Sequence, residues 1–218
     1  MTVLKANNSI LRANGKILVH PETSGNTVVI GGRTYPTVQI GGQIWMAENL
    51  DLKVQGIDIN PAGAPSTPAA WYYDRDEATY GENGNKYGLL YNWYAAKLLD
   101  DNKATLFPGW HVPSLADFET LTTSCGGGSV AGGKLKSTTG WKNNGNGTDE
   151  FGFAAYPAGY YDANTPKFRS VGGETDFMNI DINDLGYGRS IIYYSSNLWA
   201  GCQNTKIGLS LRLVKDSA

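Results

Sequence analysis

Apolar and polar residues alternate most clearly near the end of the chain. Leu209, Leu211 and Leu213 alternate with Ser210, Arg212 and Val214, the period of two expected of a half-buried strand. Just upstream the pattern gives way to Tyr193, Tyr194, Asn197, Trp199, Gln203 and Asn204, set among small residues. Large aromatics mixed with Ser, Gly and Asn make an adaptable binding surface. A rigid strand is therefore expected beside a chemically permissive face.

Two earlier strands, Thr27–Ile30 and residues 37–40, are expected around Gly-Gly turns, with Trp45 and Met46 following as core anchors. Helical spacing begins at residues 87–99, YGLLYNWYAAKLL, where Leu89, Trp93 and Ala96 share one side. A second helix is expected over residues 115–123. Ser114 is a good N-cap, Asp117 stands where a capping-box acid reaches back, and Leu115, Phe118 and Leu121 form the apolar face. Gly126, Gly127 and Gly128 end it. The run CGGGSVAGG lacks the Lys-Ser/Thr of a phosphate-binding loop and reads as turns. Beyond it, KNNGNGT reads as a polar turn, residues 151–156 as a buried strand stopped by Pro157, and residues 159–161 as the start of its partner. Two helices followed by a run of strands predict an α+β fold, with the helices packed on small, mostly antiparallel sheets.

At the other end, apolar pieces at residues 9–11 and 16–19 flank Asn14-Gly15, the strongest short hairpin signal. A lone hairpin is marginal in water. This one is expected to pack on the main domain, on copies of itself or on a larger assembly. Residues 21–26 read as a linker. The expected division is an N-terminal hairpin or attachment segment at 1–27 and a ligand-binding domain at 28–218.

Composition narrows the partners. The net charge is -2 and only 17% of residues are charged, with no basic stripe, so nucleic acid is not an expected partner. No run of about 18 apolar residues occurs, so no membrane insertion is expected. The start of the chain lacks the apolar core and cleavage site of a signal peptide. Twenty-eight glycines and thirteen tyrosines suggest short strands joined by structured loops. Cys125 and Cys202 read as two separate thiols in preference to a disulfide.

Six ordered blocks carry a family likeness: TVQIGGQIWMAENL, YGLLYNWYAA, GWHVPS, LKSTTGW, GFAAYPAGYY and GLSLRLVKD. Over about residues 28–216 the chain resembles the Fibrobacter succinogenes major paralogous domain, widespread in Bacteroidetes and their phages. That resemblance implies a C-type lectin-like fold, shared with formylglycine-generating enzymes and with the variable proteins of diversity-generating retroelements. In the latter a C-terminal region displays changeable side chains on a fixed scaffold, and RSIIYYSSNLW occupies the corresponding place here. A Trp-Ser-Ser-Thr block common in the family is FMNID in this chain, at residues 177–181. This segment is either diversified or drifted. The leader LRANGKILVH also resembles the attachment segments of phage tail adhesins.

His111 in GWHVPS reads either as a general base or metal ligand or, preferably, as a hydrogen-bonded residue before a helix. Asp74, Asp76, Glu77 and Glu82 read as a solvated loop, since no complete EF-hand pattern is present. The Glu-Pro-Asn, Gln-Pro-Asp and Trp-Asn-Asp motifs of calcium-dependent lectins of this fold do not occur, although sugar could still stack on Tyr or Trp. The paired cysteines of the formylglycine-generating route are not visible. Trp45, Trp93, Trp110 and Trp141 are expected in the core, and Trp199 on the surface.

No catalytic residue, cofactor or metal is therefore assigned, and no enzyme is expected. The expected function is receptor binding, as an adhesin on a phage tail or bacterial cell surface. Its ligand-binding residues would be Asn179, Asp181, Asn183, Ile192, Tyr194, Asn197, Trp199, Gln203 and Asn204, with Tyr194 and Trp199 as anchors. The partner would be a cell-surface protein or glycan receptor, with homo-oligomers formed through the N-terminal segment. The alternative is a structural module of a fibre or surface array. A cryptic enzyme of the formylglycine-generating type comes last.

Overall fold

In the computed structural model, residues 12–13, 16–17, 27–80, 86–183, 185–202 and 204–217 are described, with backbone alone at 12–13, 16–17, 182–183, 185–187 and 202. The first strands are β1 (Arg12–Ala13) and β2 (Lys16–Ile17), which pair antiparallel with Arg12 opposite Ile17. They flank the expected Asn14-Gly15 turn, which lies outside the described residues, as does the linker expected at 21–26. The main body opens with β3 (Thr27–Ile30), β4 (Arg33–Ile40), β5 (Gln43–Met46), β6 (Asp58–Ile59) and β7 (Ala69–Trp71). Then come α1 (Glu77–Tyr80), β8 (Leu90–Tyr91), α2 (Trp93–Asp101), α3 (Lys103–Leu106), β9 (Trp110–His111), α4 (Leu115–Ser124) and α5 (Gly128–Leu135). The chain closes with β10 (Tyr160–Asp162), β11 (Lys167–Arg169), β12 (Glu174–Asn183), β13 (Leu185–Ile192), β14 (Trp199–Cys202), β15 (Leu209–Ser210) and β16 (Val214–Lys215).

The fold is α+β. One sheet has five strands in the order β3-β4-β5-β16-β9, and a second has seven in the order β14-β13-β12-β15-β8-β7-β6. Pairing is antiparallel except between β12 and β15 and between β6 and β7. Ala95, Ala96 and Leu99 of α2 pack with Met46, Leu209, Leu211 and Leu213 in the largest apolar cluster. Phe118 and Leu121 of α4 and Ala131 and Leu135 of α5 pack with Trp45, Phe153, Phe177 and Ile191 in another. Trp71 stacks on Tyr161 at 4.2 Å in a third, smaller one. Trp45, Trp110 and Trp141 are buried, while Trp93 is half-buried and donates its indole N–H to Ile180 O.

Four local expectations are corrected. The first helix does not run over 87–99. Leu90 and Tyr91 form strand β8, and α2 begins only after Asn92, whose side-chain oxygen accepts from Ala95 N at 2.9 Å. An Asn one position before the helix is the cap that the apolar spacing concealed. The Gly-rich run does not stay a turn. Gly126 and Gly127 turn the chain at φ 95° and 102°, but Gly128 starts α5. Residues 151–156 are buried at Phe153 and Ala155 yet form no strand, because Gly152 and Ala154 take left-handed φ values of 75° and 51°.

The fourth correction concerns residues 209–214. The three leucines are buried as expected, but so are Ser210, Arg212 and Val214. The segment is not a half-buried strand. It passes from the middle of one sheet to the middle of the other, so both of its sides are covered. Arg212 is only 1% exposed. Its guanidinium donates to Asn49 Oδ1 at 2.8 Å, to Ala154 O at 2.9 Å and to the carbonyls of Phe153 and Met46, and it lies 4.3 Å from the Phe153 ring centre. Burial pulls its pKa down to about 9, against the opposing pull of Glu48 and Asp149, so it is still charged at neutral pH.

The capping box before α4 forms as read: Ser114 Oγ accepts from Asp117 N, and the Asp117 carboxylate accepts from Ser114 N at 2.8 Å. The same carboxylate holds His111. Nε2 lies 3.2 Å from Asp117 and Nδ1 lies 2.6 Å from Asp216, just beyond β16. The hydrogen bond to Asp117 raises the His111 pKa. At Asp117, burial pushes the carboxyl up but the bonds from His111 and Ser114 outweigh it and bring it to about 2.

A raised His pKa stabilises fully below its unfolded value of 6.5, and that contribution fades as pH rises through the folded value. A lowered Asp pKa stabilises above 3.8 and fades as pH falls towards about 2. The tether is thus strongest between these limits. Stability should fall as pH rises past 6.5, and His111→Gln should remove that part of the fall in a series of thermal melts. The effect is at most about 1 kcal/mol, because Asp216 is half-exposed and screened. Asp176, which is fully buried, adds a separate fall at lower pH: burial, and then Glu174, push its carboxyl up to about 7, so charging it costs stability as pH rises from 3.8 to about 7 and no further above that.

Candidate functional site

Helix α5 supports the site. Gly132 brings its backbone so close to residues 196–197 that a Cβ there would sit 2.1 Å from Asn197 O. Gly133 N donates to Ser196 O at 2.9 Å and Leu198 N to Gly128 O at 2.8 Å. The stretch carrying Tyr194 and Trp199 is thereby pinned across the helix. Just past its end stands Lys136, only 4% exposed. Its ammonium donates to the carbonyls of Ile192, Tyr193 and Ser195 at 3.4, 3.3 and 3.0 Å and lies 5.2 Å from the Trp141 ring centre. Burial lowers its pKa.

A second wall faces this stretch. Residues 142–147 form a tight loop in which Asn143 and Asn144 adopt left-handed φ values of 52° and 57°. Asn146 Oδ1 accepts from Trp141 N, and Gly147 N donates to Ser137 O. At Gly145 the loop closes on Tyr193, where an added Cβ would lie 2.4 Å from Tyr193 O. Between the walls lies a cleft of about 350 Å³, with Asn143, Asn144 and Asn146 on one side and Tyr194, Ser195 and Ser196 on the other. Lys142 Nζ sits 4.6 Å from the Tyr193 ring centre, and Tyr193 meets Tyr194 edge to face at 5.0 Å and 89°.

The residues read from the sequence separate into several places. Tyr194 is 70% exposed at the cleft and Trp199 is 45% exposed at the start of edge strand β14. Ile192, half-buried, ends β13 opposite Glu174 and gives its carbonyl to Lys136. Asn197 is half-buried, and its backbone N–H donates to Ser195 Oγ. Asn204 is exposed, and its side chain meets Asn164 and Lys206 N. Asn179 is not on the surface. It is fully buried, with neither end of its amide hydrogen-bonded, because β12 runs through the sheet interior. Asp181 is exposed, but its carboxylate accepts from Leu115 N at 2.6 Å and so caps α4. Asn183 ends β12 opposite Leu185, and Gln203 lies outside the described residues.

Sequence reading did not find Lys136, Asn143, Asn144 or Asn146. The string KNNGNGT announced only a turn. Its three asparagines were the available signal, since Asn is both the non-glycine residue most tolerant of left-handed φ and an amide donor-acceptor.

The other candidate groups lie elsewhere. Asp76 accepts from Thr79 N in the first turn of α1, Glu77 pairs with Lys53, and Glu82 lies outside the described residues. Cys125 is buried and free, its thiol pushed up to about 11 by burial, while the Cys202 side chain is outside the description. Among the described residues no group of three or more His, Cys, Asp or Glu is placed to hold a metal ion, and no helix is long and apolar enough to cross a membrane.

The family model of the Fibrobacter succinogenes major domain covers residues 38–215, and the chain belongs to that family. No curated protein and no solved structure matches the chain.

Proposed function

We propose that this member of the Fibrobacter succinogenes major domain family is a receptor-binding protein built on a C-type lectin-like scaffold. The observation behind this reading is that Tyr194 and Trp199 are the two exposed aromatic side chains among the described residues, and both lie on the stretch pinned to α5. Amphipathic rings held out on a rigid support lose little freedom on binding. On the family resemblance, the place of action is a phage tail or a bacterial surface and the partner is a cell-surface protein or glycan. The display stretch corresponds to the part that retroelements diversify in the variable proteins this domain resembles.

The test is attachment of fluorescently labelled protein to a panel of Bacteroidetes cells, read by flow cytometry. Tyr194→Ala combined with Trp199→Ala should weaken attachment by at least about tenfold, since such anchors carry about 2 kcal/mol or more. The melting temperature should not change, because neither ring is in the core. Unchanged attachment would remove these residues from the interface.

A further inference from the structure

We infer that the cleft between residues 142–147 and 193–196 is a binding site for an uncharged saccharide, which stacks on Tyr194 and hydrogen-bonds to the amides of Asn143 and Asn144. This deepens the receptor-binding reading and rests on it. The cation in the cleft floor, Lys136, gives its ammonium to three backbone carbonyls and is almost wholly buried. Nearby Lys142 lies against the Tyr193 ring. No carboxylate is among the residues that line the cleft. A cationic ligand would meet no opposite charge there, and an anionic one would find the Lys136 ammonium already turned to three carbonyls and almost wholly buried. What the lining offers is neutral: amides that both donate and accept, serine hydroxyls and a phenol. That set matches the hydroxyl groups of a sugar, each of which also donates and accepts.

Shape and rigidity agree. The volume of about 350 Å³ is at the small end of the range of about 300–1,000 Å³ for small-molecule sites, which suits a mono- or disaccharide. The Tyr193 edge-to-face contact fixes the orientation of the Tyr194 ring while leaving it largely in solvent. An exposed aromatic face packs on the C–H face of a pyranose. Asn143 and Asn144 are exposed, on a backbone locked by the Gly145 contact with Tyr193 and by Trp141 N on Asn146. The loop is therefore set before the ligand arrives, which lowers the ordering cost.

The experiment titrates the intact protein with maltose, cellobiose, chitobiose, mannobiose and lactose, and with glucuronic and N-acetylneuraminic acids. Saturation-transfer NMR detects binding and calorimetry measures it. At least one neutral sugar should bind at millimolar concentration or tighter. Tyr194→Ala and Asn144→Gly should each weaken it by about tenfold, or about 1.4 kcal/mol. Glycine keeps the left-handed backbone at 144, so this variant removes the amide alone. EDTA should leave the sugar affinity unchanged, since no carboxylate lines the cleft. The inference is overturned if no neutral sugar binds, if only the acidic sugars bind, or if binding ignores both Tyr194 and Asn144. Cell attachment separates the two readings. If it still needs Tyr194 and Trp199 while no neutral sugar binds, the receptor-binding reading stands and the saccharide falls.

Discussion

Arg212→Met is expected to lower the unfolding free energy by about 3–5 kcal/mol, the range for removing one partner from a buried charged contact. The variant should show a lower denaturation midpoint with an unchanged slope. Arg212 ties its own segment to two others: Met46 at the end of β5 with Asn49 just beyond it, and the carbonyls of Phe153 and Ala154. Methionine fills similar apolar volume between Phe153 and Phe177, so the loss is not chiefly one of packing. It comes from the acceptors left behind, since each buried unpaired oxygen costs about 1–3 kcal/mol. A buried ion pair can sometimes be exchanged for apolar residues at no loss. That route is closed here, because most of the acceptors are main-chain carbonyls and no substitution removes them. Arg212→Lys keeps the charge but not the fork of donors, and should fall between wild type and Met. A loss of less than about 1 kcal/mol for Met would mean that water satisfies these oxygens.

The second large effect is at Gly132. On helix propensity alone, Gly→Ala inside a helix gains up to about 1 kcal/mol. At Gly132 the new methyl meets Asn197 O at 2.1 Å and Asn197 C at 2.6 Å, both backbone atoms that cannot turn aside. Gly132→Ala should therefore destabilise by about 1–3 kcal/mol, as overpacking does. It should also cut ligand attachment, because the stretch bearing Tyr194 must lift off α5. Gly133→Ala is the matched control. There the methyl meets Ser196 Oγ at 3.0 Å, which can rotate away, and Ser196 Cβ at 3.1 Å, which needs to give by only a few tenths of an ångström. Thermal melts of the pair separate close approach from propensity: equal melting temperatures would mean that the approach at Gly132 is not limiting.

How much of this could be read beforehand varied with how local the cause was. Helix α4 was legible because Ser114, Asp117, Phe118 and Leu121 specify both its cap and its face within ten residues. Helix α5 was not, since Gly128, Gly132 and Gly133 argue against a helix on propensity. Only the backbone of residues 196–198, some sixty positions later, explains why they are small. The apolar run at Phe153 was correctly read as buried and wrongly read as extended, because its bend serves a cation far along the chain, Arg212. Tyr194 and Trp199 stood out by composition. The neighbours of Tyr194 across the cleft did not, because Lys136 and Gly145 meet the backbone of residues 193–195 through contacts between segments some fifty residues apart.

The placing of β15 and β16 bears on how the chain reaches this state. β15 joins β12 to β8, and β16 joins β5 to β9. Until residues 209–215 leave the ribosome, each sheet is two unjoined pieces with bare edges, the kind of surface that pairs with the wrong neighbour. Local hairpins such as β3–β4 and β12–β13 can form early, but the closing contacts span more than 100 residues, as between Leu209 and Tyr91. Such long-range closure slows folding. Synthesis therefore passes through a vulnerable interval that ends only when this short segment threads both sheets at once. A ribosome stalled before residue 209 would hold two half-sheets and no smaller finished domain.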